Sequence, residues 1–256
     1  MPGETTPDRR IVNVTGKDSL GFLQGLVSND VLALAARPGI VWAALLSPQG
    51  KYLADFLVVQ TGTALLLDLP ETLADATLRR LAMYRLRADV LLTPSPLHVL
   101  RGLGAPPLGA AAATFPDPRH PALGWRAYGT AAGTPPQIDW DAIRVANLIP
   151  DSGIELIPDD SYILEMGFER LHGVDFRKGC YVGQEVTARM KHKTDLRKGL
   201  ARVRIDGETV FGAEIMADDK PVGRLFTRSG NRALAYLRFD RTTGPMRAGT
   251  AEVSLD

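Results

Sequence analysis

At 256 residues, with 45% apolar and 23% charged side chains, the chain has room for two domains and the composition of an ordinary globular protein. A formal net charge of +1 excludes a global electrostatic pull toward nucleic acid or a membrane surface. One cysteine excludes an intramolecular disulfide, and the first ten residues lack the apolar core of a signal peptide and carry Glu4 and Asp8, so the expected location is cytoplasmic.

In chain order, Ile11 to Val14 reads as a short strand. Asp18 is placed to cap a helix with Leu20, Leu23 and Val27 on one face, and Ser28, Asn29 and Asp30 are turn formers that end it. Trp42 to Leu46 reads as a strand, Ser47-Pro48-Gln49-Gly50 as a turn, and Tyr52 to Gln60 with Ala64 to Leu69 as a hairpin. Pro70 opens a helix that repeats through Leu73, Thr77 and Leu81, and the alternation from Leu86 to Leu92 predicts a strand. This order points to an α+β arrangement, a small antiparallel sheet with helices on one face.

Residues 104–122, rich in Gly, Ala and Pro, read as an irregular crossover, too broken to span a membrane. Helices are expected from Ile138 to Asn147, capped near Asp139, and from Gln184 to Lys191. Short β-like runs at 200–205, 209–215, 221–227, 233–239 and 250–255 suggest a small barrel. The expected domains are therefore 1–197 and 198–256.

The segment Lys178-Gly179-Cys180-Tyr181-Val182-Gly183-Gln184-Glu185 holds the only cysteine. Cations at 177 and 178 favour a thiolate, and glycines at 179 and 183 allow backbone conformations closed to other residues. Burial of a lone cysteine is the common alternative. Glu185 could instead serve the helix start and an ion pair with Arg189. The four histidines show no metal-ligand spacing, and no resident metal is expected.

This octapeptide resembles the signature of the YgfZ-type folate-binding proteins, which are implicated in assembly and repair of iron–sulfur clusters. Phe22-Leu23-Gln24-Gly25, Ser28 to Val31, Leu45 to Lys51, Asp55-Phe56, Tyr84 to Arg87 and Val174 to Phe176 extend the likeness over about residues 11–240. That family is similar in turn to the T protein of the glycine cleavage system, an aminomethyltransferase. The resemblance implies two interleaved α+β subdomains plus a C-terminal barrel, ring-like around a central channel. It implies a tetrahydrofolate cofactor, with Glu165 of Leu164-Glu165-Met166-Gly167-Phe168 holding the pterin, because a carboxylate accepts two parallel N–H bonds from its edge. Asn29, Asp30, Tyr84, Arg85, Gly179, Tyr181 and Gly183 are further candidate folate contacts. Cys180, Lys178, Gln184 and Glu185 are the candidate reactive group, the lysine keeping the thiol ionised at an opening to the folate.

One thiol cannot hold a cluster alone, so the expected partners are iron–sulfur client enzymes or assembly factors, with tRNA modification supported indirectly through cluster-dependent enzymes. The implied protein is an accessory factor and not a conventional enzyme. An aminomethyltransferase-like one-carbon enzyme using Asp55 is the first alternative; the hairpin carries Ala54-Asp55 where the T protein has two acids. A module binding tRNA or protein through the basic run 189–198 is the second.

Overall fold

The computed structural model describes residues 3–106, 113–193 and 196–256. The chain begins with β1 (Glu4–Thr5) and β2 (Arg9–Thr15), turns through α1 (Ser19–Gln24), and continues as β3 (Gly39–Leu46), β4 (Tyr52–Gln60) and β5 (Leu65–Pro70). After α2 (Glu71–Arg85) come β6 (Leu91–Pro94), β7 (His98–Gly102), β8 (Ala113–Pro116), β9 (Trp125–Gly129) and α3 (Trp140–Asn147). A long run of turns reaches α4 (Gln184–Lys193). The chain closes with β10 (Lys198–Asp206), β11 (Glu214–Ala217), β12 (Lys220–Ser229), β13 (Arg232–Arg238), β14 (Met246–Ala248) and β15 (Ala251–Leu255).

Two sheets and a barrel use these strands: a five-stranded sheet β3-β4-β5-β2-β6, a four-stranded sheet β1-β7-β9-β8, and a closed barrel β10-β13-β12-β11-β14-β15. The chain starts in the four-stranded sheet, builds the five-stranded one and returns, so the two subdomains interleave. The fold is α+β with a C-terminal barrel, as expected from the sequence.

Alternation along β3 explains why the first sheet is covered on both faces. Trp42, Ala44 and Leu46 join the core shared with Val99, Tyr128 and Phe168, whereas Ala43 and Leu45 face α1 and α2 beside Leu23, Ala74 and Leu81. Asp68 lies among the residues facing the second sheet and takes Arg9 at 2.6 Å, Arg126 at 3.0 Å and the Tyr128 hydroxyl at 2.9 Å. Its two guanidiniums hold the carboxyl below its usual range against the opposing effect of burial.

The 86–92 strand expectation needs correction. The helical spacing of α2 runs one turn further, to Arg85; Leu86 reverses direction at φ 45°, and only Leu91–Pro94 is strand. Seven residues of alternation are too few to outweigh the continuing helix. Three short strands, β7 to β9, were not expected, and only β8 lies within the 104–122 crossover, of which 107–112 lie outside the described residues. In the barrel, the strand expected at 209–215 lies at Glu214–Ala217, overlapping the expected run only at 214 and 215, and Met246–Ala248 supplies a strand that periodicity missed.

The barrel is tied to the rest through buried charge. Arg144 of α3 donates to Glu155 at 2.9 Å and to the Thr227 hydroxyl of β12 at 2.9 Å. The Leu200 N–H of β10 donates to the Glu165 carbonyl at 2.8 Å. Among the described residues no helix is long and apolar enough to cross a membrane.

Candidate functional site

The octapeptide forms a loop with anchored flanks and an exposed middle. Upstream, Ser28 and the 173–175 segment hold each other: its hydroxyl donates to the Gly173 carbonyl at 2.6 Å, and the Asp175 N–H donates to its carbonyl at 3.1 Å. Lys178 is buried, and its ammonium donates to the carbonyls of Gln24 (2.7 Å), Val27 and Asn29 (3.0 Å), just past the end of α1. Tyr181 packs into the main core, 4.9 Å from that ammonium. Between the two anchors, Gly179 and Cys180 are exposed.

Downstream, Gly183 sits against the Ser47–Gly50 turn at φ 83°, where an added Cβ would meet the Ser47 carbonyl oxygen at 2.6 Å. The only cysteine therefore stands in solvent on a braced loop. The buried alternative does not hold.

The anchor role corrects the expectation for Lys178. An ammonium has three donors, and main-chain carbonyls take all three, so none remains for the thiolate. Burial pushes its pKa down to about 8, with Asp30 and Asp175 opposing.

Glu165 lies elsewhere, in a cavity of about 270 Å³ lined by Lys51, Tyr162, Met166, Phe226 and Tyr236 among others. Tyr236 of β13 donates to one carboxylate oxygen. Burial raises the carboxyl pKa, while that hydrogen bond, Lys198 and Lys51 act to lower it. Neither Lys178 nor Cys180 lines this cavity, so the expected shared opening is absent from it. Sequence reasoning missed Lys51 and Tyr236, which reach Glu165 only through tertiary contacts across 114 and 71 positions; no local signal marks them.

The other candidates divide. Asn29 donates to the Trp42 (2.8 Å) and His172 (2.7 Å) carbonyls and accepts from the Asp30 N–H (2.9 Å), so it braces the loop behind the octapeptide. Asp30 accepts from the Leu32 N–H at 3.0 Å and lines a groove of about 650 Å³ with Trp42, Asp175 and Arg177. Tyr84 and Arg85 end α2 and do not line the Glu165 cavity: Tyr84 packs on the helix-side core and Arg85 donates to the Val90 carbonyl at 3.4 Å. Their assignment as folate contacts rested on the family resemblance of Tyr84 to Arg87, and the structure places both residues on the last turn of α2. Gln184 and Glu185 open α4, Gln184 half-buried and Glu185 exposed. In the basic run, Lys191 pairs with Glu169 and Lys198 begins β10; residues 194 and 195 lie outside the described residues.

Asp55 is 3% exposed and accepts from the Trp42 indole (2.7 Å), the Tyr52 hydroxyl (2.6 Å) and the Ser152 hydroxyl (2.6 Å). Three donors and burial tie this carboxylate to β3, β4 and the segment after α3. Among the described residues no cluster of three or more His, Cys, Asp or Glu could hold a metal ion.

Residues 197–256 match the family described as CAF17, C-terminal beta-barrel domain. The human mitochondrial iron-sulfur cluster assembly factor IBA57 is 30% identical over 285 residues, covering 95% of this chain and 79% of that protein. The chain belongs to the IBA57 family. The Mus musculus member is 29% identical over 287 residues (96% of this chain, 80% of the relative). The Mycosarcoma maydis homolog is 35% identical over 219 residues; that match covers 75% of this chain and only 54% of the relative.

The crystal structure of glycine cleavage system aminomethyltransferase T from Bartonella henselae superposes with a TM-score of 0.70, covering 97% of this chain and 82% of that one. Its 12% identity makes this a likeness of fold. The YgfZ-type resemblance is thus refined: the named family is IBA57, with a CAF17 barrel on a T-protein-like fold. The relatives named here are mitochondrial, which overturns the cytoplasmic expectation. A chain without disulfides suits any reducing compartment, so cysteine content could not have distinguished the two.

Proposed function

We propose that this IBA57-family protein takes part in cluster assembly by offering Cys180 in trans, as one thiolate ligand to an iron–sulfur cluster whose other ligands come from a partner. The observation that carries this reading is the exposure of the chain's only cysteine on a loop anchored at Lys178, Tyr181 and Gly183. A cluster commonly takes four thiolates, so a single one serves only a shared or passing cluster. The partner is then a cluster-loaded assembly factor or a client enzyme, cluster-dependent tRNA-modifying enzymes among the clients. Glu185, exposed at the start of α4, is available to that partner.

A reduced folate is the proposed cofactor, with its pterin edge on Glu165. The cavity is near the lower end of ligand-pocket sizes, about 300 Å³, so it suits a bicyclic head with the tail outside. Phe226 and Tyr162 supply flat apolar walls, and one carboxylate oxygen is already taken by Tyr236. When bound, such a group supplies one-carbon carriage; Glu165 and Tyr236 would orient it.

Mixing the protein with a [2Fe–2S]-loaded dithiol carrier tests the first part. The wild type should give a mixed-ligand visible circular dichroism spectrum and C180S should not. The same spectrum from C180S would reject the ligand role. Tetrahydrofolate titrated against tryptophan fluorescence tests the second part: saturable quenching should be lost in E165Q, and no quenching in the wild type would reject it.

A further inference from the structure

A separate concentration of charge lies where the two sheets face each other. β2 contributes Arg9, β7 Arg101, β9 Arg126, and the segment after β8 contributes Arg119. Asp68 takes Arg9 and Arg126; Asp117 takes Arg119 at 2.8 Å and Arg126 at 3.5 Å. Three guanidiniums thus divide two carboxylates, and Arg101 has none within ion-pair distance among the described residues. Its guanidinium lies over the Trp140 ring at 4.2 Å, and its Nε is buried with no hydrogen-bond acceptor among those residues.

The acids within electrostatic reach of Arg101 have other commitments or face solvent. Glu4 accepts from the Gln137 and Ile138 N–H groups (2.7 and 2.8 Å) and the Trp140 indole (3.0 Å). Asp151 accepts from the Ser152 N–H at 3.0 Å and lies 3.9 Å from Arg144, and Asp8 is exposed.

This place is deep but wet. The Arg119 and Asp151 side chains keep 13% and 40% of their exposure, so water reaches them. Arg119 commits its Nε and Nη2 to Asp117 (2.9 and 2.8 Å). Register explains the crowding: Arg101 and Arg126 are direct cross-strand partners on one face of the sheet. Like charges directly opposite are destabilising unless something neutralises them. Burial and the neighbouring Arg126 together push Arg101 down to about 10.

We propose that Arg101, with Arg119, forms a binding site for a small oxyanion, a carboxylate or a phosphate, where the two sheets face each other. A planar guanidinium with unused donors matches such a group in a bidentate fork. Nothing in this proposal depends on Cys180 or on folate at Glu165.

The sign of the stability change separates a ligand site from a structural one. A residue retained for binding at the expense of folding should leave the empty protein no less stable when it is replaced. Thermal unfolding and tryptophan fluorescence of the full chain would be followed with inorganic phosphate and with glutarate, each against sodium chloride of equal ionic strength. The wild type should show a saturable rise in Tm with at least one anion. R101Q should start at an equal or higher Tm and lose that rise, and R101K, which keeps charge without the fork, should weaken it.

A phosphate-only response would assign a phosphorylated ligand, and a glutarate response a carboxylate. No saturable shift beyond the salt control, an undiminished shift in R101Q, or a large fall in the Tm of ligand-free R101Q would each overturn the site. Should R101Q fail to fold, that counts as the third result.

Discussion

Replacing Gly183 by alanine tests whether the octapeptide is held by shape. At φ 83° a side chain costs about 1–2 kcal/mol in backbone strain. The new methyl would lie 2.6 Å from the Ser47 carbonyl oxygen and 2.9 Å from the Leu46 Cβ. That oxygen cannot easily retreat, because it accepts the Gly50 N–H at 2.8 Å. Gly50, at φ 73°, is itself closed in by Val186, whose Cβ would stand 2.7 Å from an added methyl. Overpacking of this kind adds about 1–3 kcal/mol, so the whole change should cost about 3 kcal/mol.

For a chain of this length that corresponds to a fall of about 6–12 °C in Tm. Urea unfolding would give the energy, and the rate of Cys180 alkylation by iodoacetamide would report whether the loop has moved. Gly179 is the internal control: its φ is not positive and an added methyl meets nothing within 4 Å, so G179A should stay within about 0.5 kcal/mol of wild type. Equal stability and equal alkylation rates for wild type and G183A would refute the reasoning, as would an equal cost for G179A.

Lys178 should leave its mark on pH dependence. With its pKa held at about 8 against an ordinary 10.5, the folded state releases this proton first. Stability from this group therefore grows as pH climbs from about 8 to 10.5. K178M should lack that rise, and a flat difference between the two urea-derived curves from pH 7 to 11 would exclude the assignment. D68N should cost about 3–5 kcal/mol, since it leaves the nearly buried Arg9 without its charge partner and the buried Arg126 with Asp117 alone, at 3.5 Å. A loss of under about 1 kcal/mol in urea would show that the two sheets are joined by apolar packing alone.

Fold class was legible because local chemistry and tertiary structure agreed along most of the chain. The turn at Ser47–Gly50, the cap at Asp139 and the repeated short runs after Lys198 each followed from residue type and spacing. The 86–92 segment failed because a few alternating residues cannot outweigh a helix whose apolar stripe continues to Tyr84. Strands β7 to β9 escaped notice because their partners are supplied by each other and by β1, nearly a hundred residues away.

By itself the sequence singled out the candidate group: one thiol, flanked by a lysine and glycines, in a segment that is not an apolar run. Only the tertiary structure decided what each neighbour does. Whether an ammonium faces a thiolate or three carbonyls depends on where α1 ends, and whether an aspartate is a base or a brace depends on which indole and hydroxyls surround it. Charge and reactivity are written in residue type, but the carbonyls that take Lys178 lie 149 to 154 positions away and the Ser152 hydroxyl on Asp55 lies 97 away, which spacing along the chain does not encode.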